Sequence, residues 1–162
     1  GADSMTGSRV AQTFDRYYSD VENFGVTYGD GLSDVDLGAE FSFHLSQGTL
    51  GTILGVIAVS RFGHIKADGD VVTEFLEKPI LKDNWINGGY FFFRSGFRKY
   101  LSEDPSCILE RDPLFNLSND RQLSVFRHSG FWSCMDTQRD KEDLEQMFAR
   151  GEFNQPPKGG VV

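Results

Sequence analysis

Apolar residues recur along this chain in two periods, and the two alternate. Phe24-Gly25-Val26-Thr27-Tyr28 is short, β-rich and stopped by Gly29-Asp30-Gly31, which predicts a strand. Residues 49–60 form a longer, almost wholly apolar run of the kind covered on both faces. Residues 71–76 alternate and stop at Glu77-Lys78-Pro79. Gly89-Tyr90-Phe91-Phe92-Phe93 reads as a buried strand ending at Arg94, and residues 123–128 add a further strand. Between them lies the helical period. Val10, Phe14 and Tyr17 share one face, as do Leu37, Phe41 and Leu45, with Ser33 or Asp36 as N-cap and Gly48 just beyond the end. Leu144, Met147 and Phe148 share a face of a helix that begins near Thr137 and stops before Gly151. All three stripes read as core. Strands alternating with helices predict an α/β sandwich around a largely parallel or mixed sheet.

In such sheets ligands sit beyond the carboxyl ends of the strands. The unusual residues of this chain collect there: Gly29-Asp30-Gly31, Glu77-Lys78-Pro79 and Asn87-Gly88-Gly89. A carboxylate between two glycines suits Mg²⁺, which takes one or two carboxylates plus phosphate oxygens and water; a plain turn explains the same residues. Asp34 and Asp36 form an Asp-x-Asp pair that either holds a metal-bound sugar diphosphate or, as the sequence favours, starts the helix at Leu37. Lys78, restricted by the proline after it, presents an ammonium to a phosphate or is a surface turn lysine. Asn87 offers an amide to sugar hydroxyls or makes a tight turn. Asp136 either caps a helix, a role Thr137 fills equally well, or is a second carboxylate for the cation of Asp30. His44, His64 and His128 show no ligand spacing, and His44 is expected on the surface of its helix.

Composition narrows the classes. The chain has 162 residues, enough for one domain, and its 16 basic against 24 acidic side chains leave a net charge of −8. That argues against a surface built for nucleic acid or an anionic membrane, but not against one cationic pocket for a small phosphorylated ligand. The apolar run at 49–59 carries glycines and is too short to span a bilayer, and no secretory signal is seen. Cys107 and Cys134 lack Cys-x-x-Cys spacing and read as inert thiols, which fits the cytoplasm.

In this order, several segments together resemble the glucose-1-phosphate cytidylyltransferases, a branch of the sugar-phosphate nucleotidyltransferases. They are Met5-Thr6-Gly7-Ser8-Arg9, the run Val26 through Asp36 containing Tyr28-Gly29-Asp30-Gly31, Arg61-Phe62-Gly63, Glu77-Lys78-Pro79, Trp85-Ile86-Asn87-Gly88-Gly89-Tyr90-Phe91, Leu109-Glu110-Arg111-Asp112-Pro113-Leu114, and Gly130-Phe131-Trp132 through Met135-Asp136-Thr137 to Arg139-Asp140-Lys141. The resemblance implies a Rossmann-like nucleotidyltransferase fold, a mixed and mostly parallel sheet with flanking helices. It implies transfer of a cytidylyl group from CTP to glucose 1-phosphate, giving CDP-glucose and pyrophosphate with Mg²⁺. It also implies a homo-oligomer supplying sugar nucleotides for surface polysaccharide such as O-antigen. By resemblance Asp30 and Asp136 hold the metal, Ser4, Arg9 and Gly29 contact the nucleotide, and Gly63, Glu77, Lys78 and Asn87 contact the sugar phosphate. Lys78 and Asp30 are the residues nearest the chemistry.

The sequence departs from the family at Ser8, where glycine is usual, at Val59-Ser60 in place of two prolines, and at Gln138 in place of leucine. It also has no Gly-Gly-x-Gly-Thr-Arg loop. The expectation is therefore the C-terminal three fifths of such a protein, with a fold incomplete at the N-terminus and no turnover by the isolated chain. Residues 1–151 would form a partial domain and 152–162 a flexible tail. The alternatives are a non-catalytic sugar-phosphate-binding or assembly module, and a nucleotidyltransferase using another nucleoside triphosphate.

Overall fold

The computed structural model describes residues 3–59, 62–77 and 80–152. In chain order the elements are α1 (Thr6–Tyr17), β1 (Asn23–Thr27), β2 (Gly31–Ser33), α2 (Leu37–Gln47), β3 (Gly51–Val59), β4 (His64–Asp68), β5 (Val71–Leu76), β6 (Ile80–Arg94), a 3₁₀ helix (Ser95–Tyr100), α3 (Asp112–Asn119), β7 (Leu123–His128), β8 (Trp132–Cys134) and α4 (Gln138–Ala149). Of the expected tail at 152–162, residues 153–162 lie outside the described residues, as do Arg61, Lys78 and Pro79. No helix among the described residues is long and apolar enough to cross a membrane.

Four strands form the main sheet in the order β1-β6-β3-β7. The α/β class and the mixed sheet are as expected, but its direction is not. β1 and β3 both pair antiparallel with β6, and only β3 with β7 is parallel. The reason lies in the connection. β3 returns as β6 through the β4–β5 hairpin and no crossover helix, and a chain that turns back without one must run antiparallel. Nor is the N-terminal end of the described residues the ill-held end that was expected. The chain is described from Asp3, and the start of α1 is tied down, with Met5 N–H donating to Pro105 O at 2.8 Å and Gly7 N–H to Cys107 O at 3.0 Å.

The consecutive phenylalanines of β6 serve both faces, because strand side chains alternate. Phe91 and Phe93 point into the main core with Ala11 of α1, Phe97, Leu109, and Leu114 and Leu117 of α3. Phe93 and Phe97 stack with ring centroids 4.0 Å apart. Gly51 is needed at this layer, since a Cβ there would lie 2.8 Å from Leu117 Cδ2. On the other face Phe92 meets Phe41 of α2.

Asp36 caps α2 by accepting from Ala39 N–H at 3.0 Å, and Gly48 ends it at φ +70°. The face that α2 buries is not the expected leucine stripe. Leu37 and Leu45 are exposed, whereas Glu40 and His44 are fully buried. His44 is thus no surface residue: its Nδ1 bonds Thr52 Oγ1 at 2.9 Å and its Nε2 bonds Asn23 Oδ1 at 3.2 Å. α1 and α4 follow their predicted stripes only in part, burying Phe14 and Leu144 while Tyr17 and Phe148 stay exposed.

Candidate active site

Two adjoining clefts open where β1 ends, β2 begins and β8 ends, the smaller against Asn87-Gly88-Gly89 in the middle of β6 and not before a strand as expected, and Tyr28 and Asp30 line both. The larger, about 610 Å³, runs past α1 and is lined by Thr6, Arg9, Gly29, Asp30 and Glu110 among others. The smaller, about 210 Å³, is lined by Asp30, Gly31, Asn87, Gly88, Gly89, Trp132, Cys134 and Asp136 together with Tyr28. Asp30 and Asp136 are far apart in sequence. They come to line one pocket because β2 and β8 pair antiparallel, Gly31 opposite Cys134, with Met135 N–H donating to Asp30 O at 2.9 Å.

The floor of the small pocket is built by backbone. Asn87 Oδ1 accepts from Gly89 N–H at 2.8 Å, and Gly89 takes φ +79°, a left-handed conformation that suits only glycine here. A Cβ at Gly89 would also lie 2.9 Å from the Tyr28 ring, so the glycine lets the aromatic ring pack against the strand. Trp132 Nε1–H donates to Gly88 O at 2.8 Å and joins β8 to this floor.

Sequence reasoning assigned Tyr28 and Glu110 no role. The Tyr28 hydroxyl donates to Glu110 Oε1, and Thr6 Oγ1 donates to Glu110 Oε2 at 3.0 Å. Glu110 therefore fastens the first turn of α1 to the strand end that carries Asp30. Burial and then the Glu110 carboxylate push the Tyr28 phenol well above its ordinary range, so it stays protonated and keeps donating. Glu110 stood within the Leu109-Glu110-Arg111 segment of the resemblance, but its partners Thr6 and Tyr28 are remote in sequence, and no local pattern marks it.

The remaining candidates divide. Arg9, Gly29 and Asp30 share the larger cleft, and Asp30, Asn87 and Asp136 the smaller. Ser4 is buried just before α1 and lines neither. Gly63 and Glu77 neighbour each other at the root of the β4–β5 hairpin, a Cβ at Gly63 lying 3.2 Å from Glu77 Oε2, and they too line neither cleft. Lys78 lies outside the described residues. Of the Asp-x-Asp pair, Asp36 is the cap of α2 and Asp34 meets His128. Thr137, in a capping box with Asp140, starts α4, so Asp136 is not needed as the cap.

Among the described residues no group of three or more His, Cys, Asp or Glu surrounds one point. Two carboxylates in one small pocket still fit Mg²⁺, which commonly binds through one or two carboxylates and keeps water and phosphate oxygens as its other ligands.

A model of the nucleotidyl transferase family matches residues 7–133. The chain is 36% identical over 152 residues to a Bacillus subtilis (strain 168) protein named "Probable glucose-1-phosphate cytidylyltransferase", covering 94% of this chain and 59% of that one. It is 36% identical over 151 residues to the glucose-1-phosphate cytidylyltransferase of Salmonella typhi, covering 93% and 58%. It thus spans about three fifths of the length of these relatives. Among solved structures, HddC from Yersinia pseudotuberculosis superposes with a TM-score of 0.61 at 19% identity, over 89% of this chain and 62% of that one, a likeness of fold. One expectation is corrected. The family model engages the N-terminal and middle parts of this chain, and the similarity supports the nucleotidyltransferase superfamily; it does not support a C-terminal piece defined by a missing loop.

Proposed function

Because this chain belongs to the nucleotidyl transferase family, we propose that it serves transfer of the cytidylyl group of CTP to glucose 1-phosphate, giving CDP-glucose and pyrophosphate, in the cytoplasm. The observation that carries the reading is the meeting of Asp30 and Asp136 in one small pocket that opens beside the cleft holding Arg9 and Gly29. In this reading a phosphate oxygen of the sugar phosphate attacks the α-phosphorus of CTP in line, and pyrophosphate leaves. Both reactants are anions, so the site's work is screening and alignment. Asp30 and Asp136 would hold Mg²⁺, which when bound supplies positive charge to the phosphate oxygens. Arg9 faces the triphosphate from α1, and the glycine backbone at Gly29 lets it approach closely. Asn87 takes the sugar side; Gly63 and Glu77, which line neither cleft, and Lys78, outside the described residues, are assigned to that side by the family resemblance alone. The Tyr28 hydroxyl, held by Glu110, fixes the wall between the two substrates.

The test is calorimetric binding of CDP-glucose, UDP-glucose and dTDP-glucose in Mg²⁺, followed by product analysis with CTP and glucose 1-phosphate. CDP-glucose should bind best, and Asp30→Asn or Asp136→Asn should weaken it by roughly a hundredfold. Preference for another sugar nucleotide would replace the cytidylyl assignment. Binding untouched by both substitutions would end it.

A further inference from the structure

The acids of the small pocket sit at one end of a very short ribbon. β2 and β8 are three residues each, paired from Gly31↔Cys134 to Ser33↔Trp132. A two-stranded ribbon of this length does not hold itself in place, so its position is set by what ties it to the main sheet. At the Gly31 end, beside the acids, the Tyr90 hydroxyl donates to Gly31 O at 2.9 Å, and from the Ser33 end Trp132 Nε1–H donates to Gly88 O at 2.8 Å, both ties reaching β6. The Ser33 end has a second tie, to β7. Asp34, the first residue past β2, meets His128, the last residue of β7, with Oδ1 and Nε2 2.7 Å apart. A carboxylate oxygen can only accept, so Nε2 carries the proton. The side chains are 30% and 16% exposed, so the contact is partly open to water. Around it, the Ser33 hydroxyl and the Asp34 N–H both donate to Phe131 O, at 2.9 and 3.2 Å. Gly130 closes over the pair: a Cβ there would lie 2.5 Å from Asp34 Oδ1 and 2.6 Å from His128 Nε2.

We propose that the His128–Asp34 pair is a positioning device for the divalent-cation site, fixing the far end of the β2–β8 ribbon to β7 so that Asp30 and Asp136 are held together at the near end. This rests on the reading of Asp30 and Asp136 as the cation's ligands. Two carboxylates bind an ion well when their separation is set beforehand, because otherwise binding must also supply the free energy of ordering them. His128 and Asp34 touch neither the ion nor the substrates; they act through the ribbon. Gly130 is required because a side chain would enter the space the pair occupies.

The probe is Mn²⁺ alone, its binding to the whole chain followed by electron paramagnetic resonance at a temperature where circular dichroism shows each variant folded. Asp34→Ala and His128→Ala should each weaken Mn²⁺ binding about tenfold, and the double variant no more than either alone. Asp34→Asn keeps an acceptor for the His128 N–H and should recover most of the affinity. Gly130→Ala, which leaves both side chains but crowds their contact, should weaken binding in the same sense. Asp30→Asn and Asp136→Asn should abolish it. If Asp34→Ala lowers the melting temperature yet leaves Mn²⁺ affinity unchanged while Asp30→Asn removes it, the positioning role is wrong and the cation site stands. If Mn²⁺ binds equally well in both Asp30→Asn and Asp136→Asn, or fails to bind the unaltered chain, the cation site is wrong and the inference goes with it.

Discussion

Glu40 shows how one residue can set the pH response of the fold. Its side chain is fully buried on α2, and neither carboxyl oxygen has a hydrogen-bond partner among the described residues. Burial pushes it up to about 7 from an ordinary value of 4.5. His44, one turn further along, is engaged with Thr52 and Asn23 and does not compensate it. The sign follows from proton counting. Between pH 4.5 and 7 the folded chain keeps a proton that the unfolded chain releases, so stability is highest below this window, falls through it and levels off above 7. The loss is about 3 kcal/mol. Glu40→Gln should remove this slope and leave the variant more stable than the parent at pH 8, measured by urea unfolding at pH 5 and pH 8; equal slopes would refute it. Asp15 acts in the opposite sense and in a lower range. The Arg98 guanidinium bonded to it holds its carboxyl below 3.8, and that stabilisation is lost as pH falls through the lowered value.

Among the elements, α2 separates what a sequence period can say from what it cannot. The helix and both its ends follow the pattern, with Asp36 and Gly48 as its caps. Which face turns inward does not follow. A helix carrying several apolar residues offers more than one stripe, and packing against Thr52 and Phe92 selects the stripe of Glu40 and His44. The Asp-x-Asp pair is resolved at the same scale. Asp36→Ala removes a cap and should cost about 1 kcal/mol of stability. It should leave Mn²⁺ affinity intact, in contrast to Asp34→Ala, and paired denaturation and Mn²⁺ titrations would show whether the two acids divide in this way. β2, β8 and α3 went unread because the strands are three residues long and α3 spans eight, too few for a period to register.

At the scale of the whole molecule, stability is distributed unevenly. β3 and β6 sit mid-sheet between β7 and β1, with helices on both faces. The β4–β5 hairpin stands apart as its own two-stranded sheet, with Ile65, Val71, Val72 and Phe75 exposed and a Lys66–Glu74 ion pair across it. A hairpin without a packed face opens easily. Amide hydrogen exchange should therefore be fast across residues 64–76 and slowest in the centres of β3 and β6. Protection of the hairpin equal to that of β3 would mean that its exposed face is covered in solution. The mixed sheet expected from alternating strands and helices is present, but its mostly parallel direction is not, for a related reason: strand direction depends on how the chain returns, and between β3 and β6 it returns through a hairpin.

The sequence alone determined local matters: where the longer strands and helices lie, which residues cap the helices, and which short segments carry acids, amides and glycines. These are set by neighbours within a few residues, through backbone conformation and side-chain period. The tertiary structure alone decided strand direction, the buried face of α2, the placing of Asp30 and Asp136 on one pocket, and the contacts of Glu110 with Tyr28 and Thr6 and of Asp34 with His128. All of these join remote segments, and their geometry exists only once the chain has closed on a single packed core.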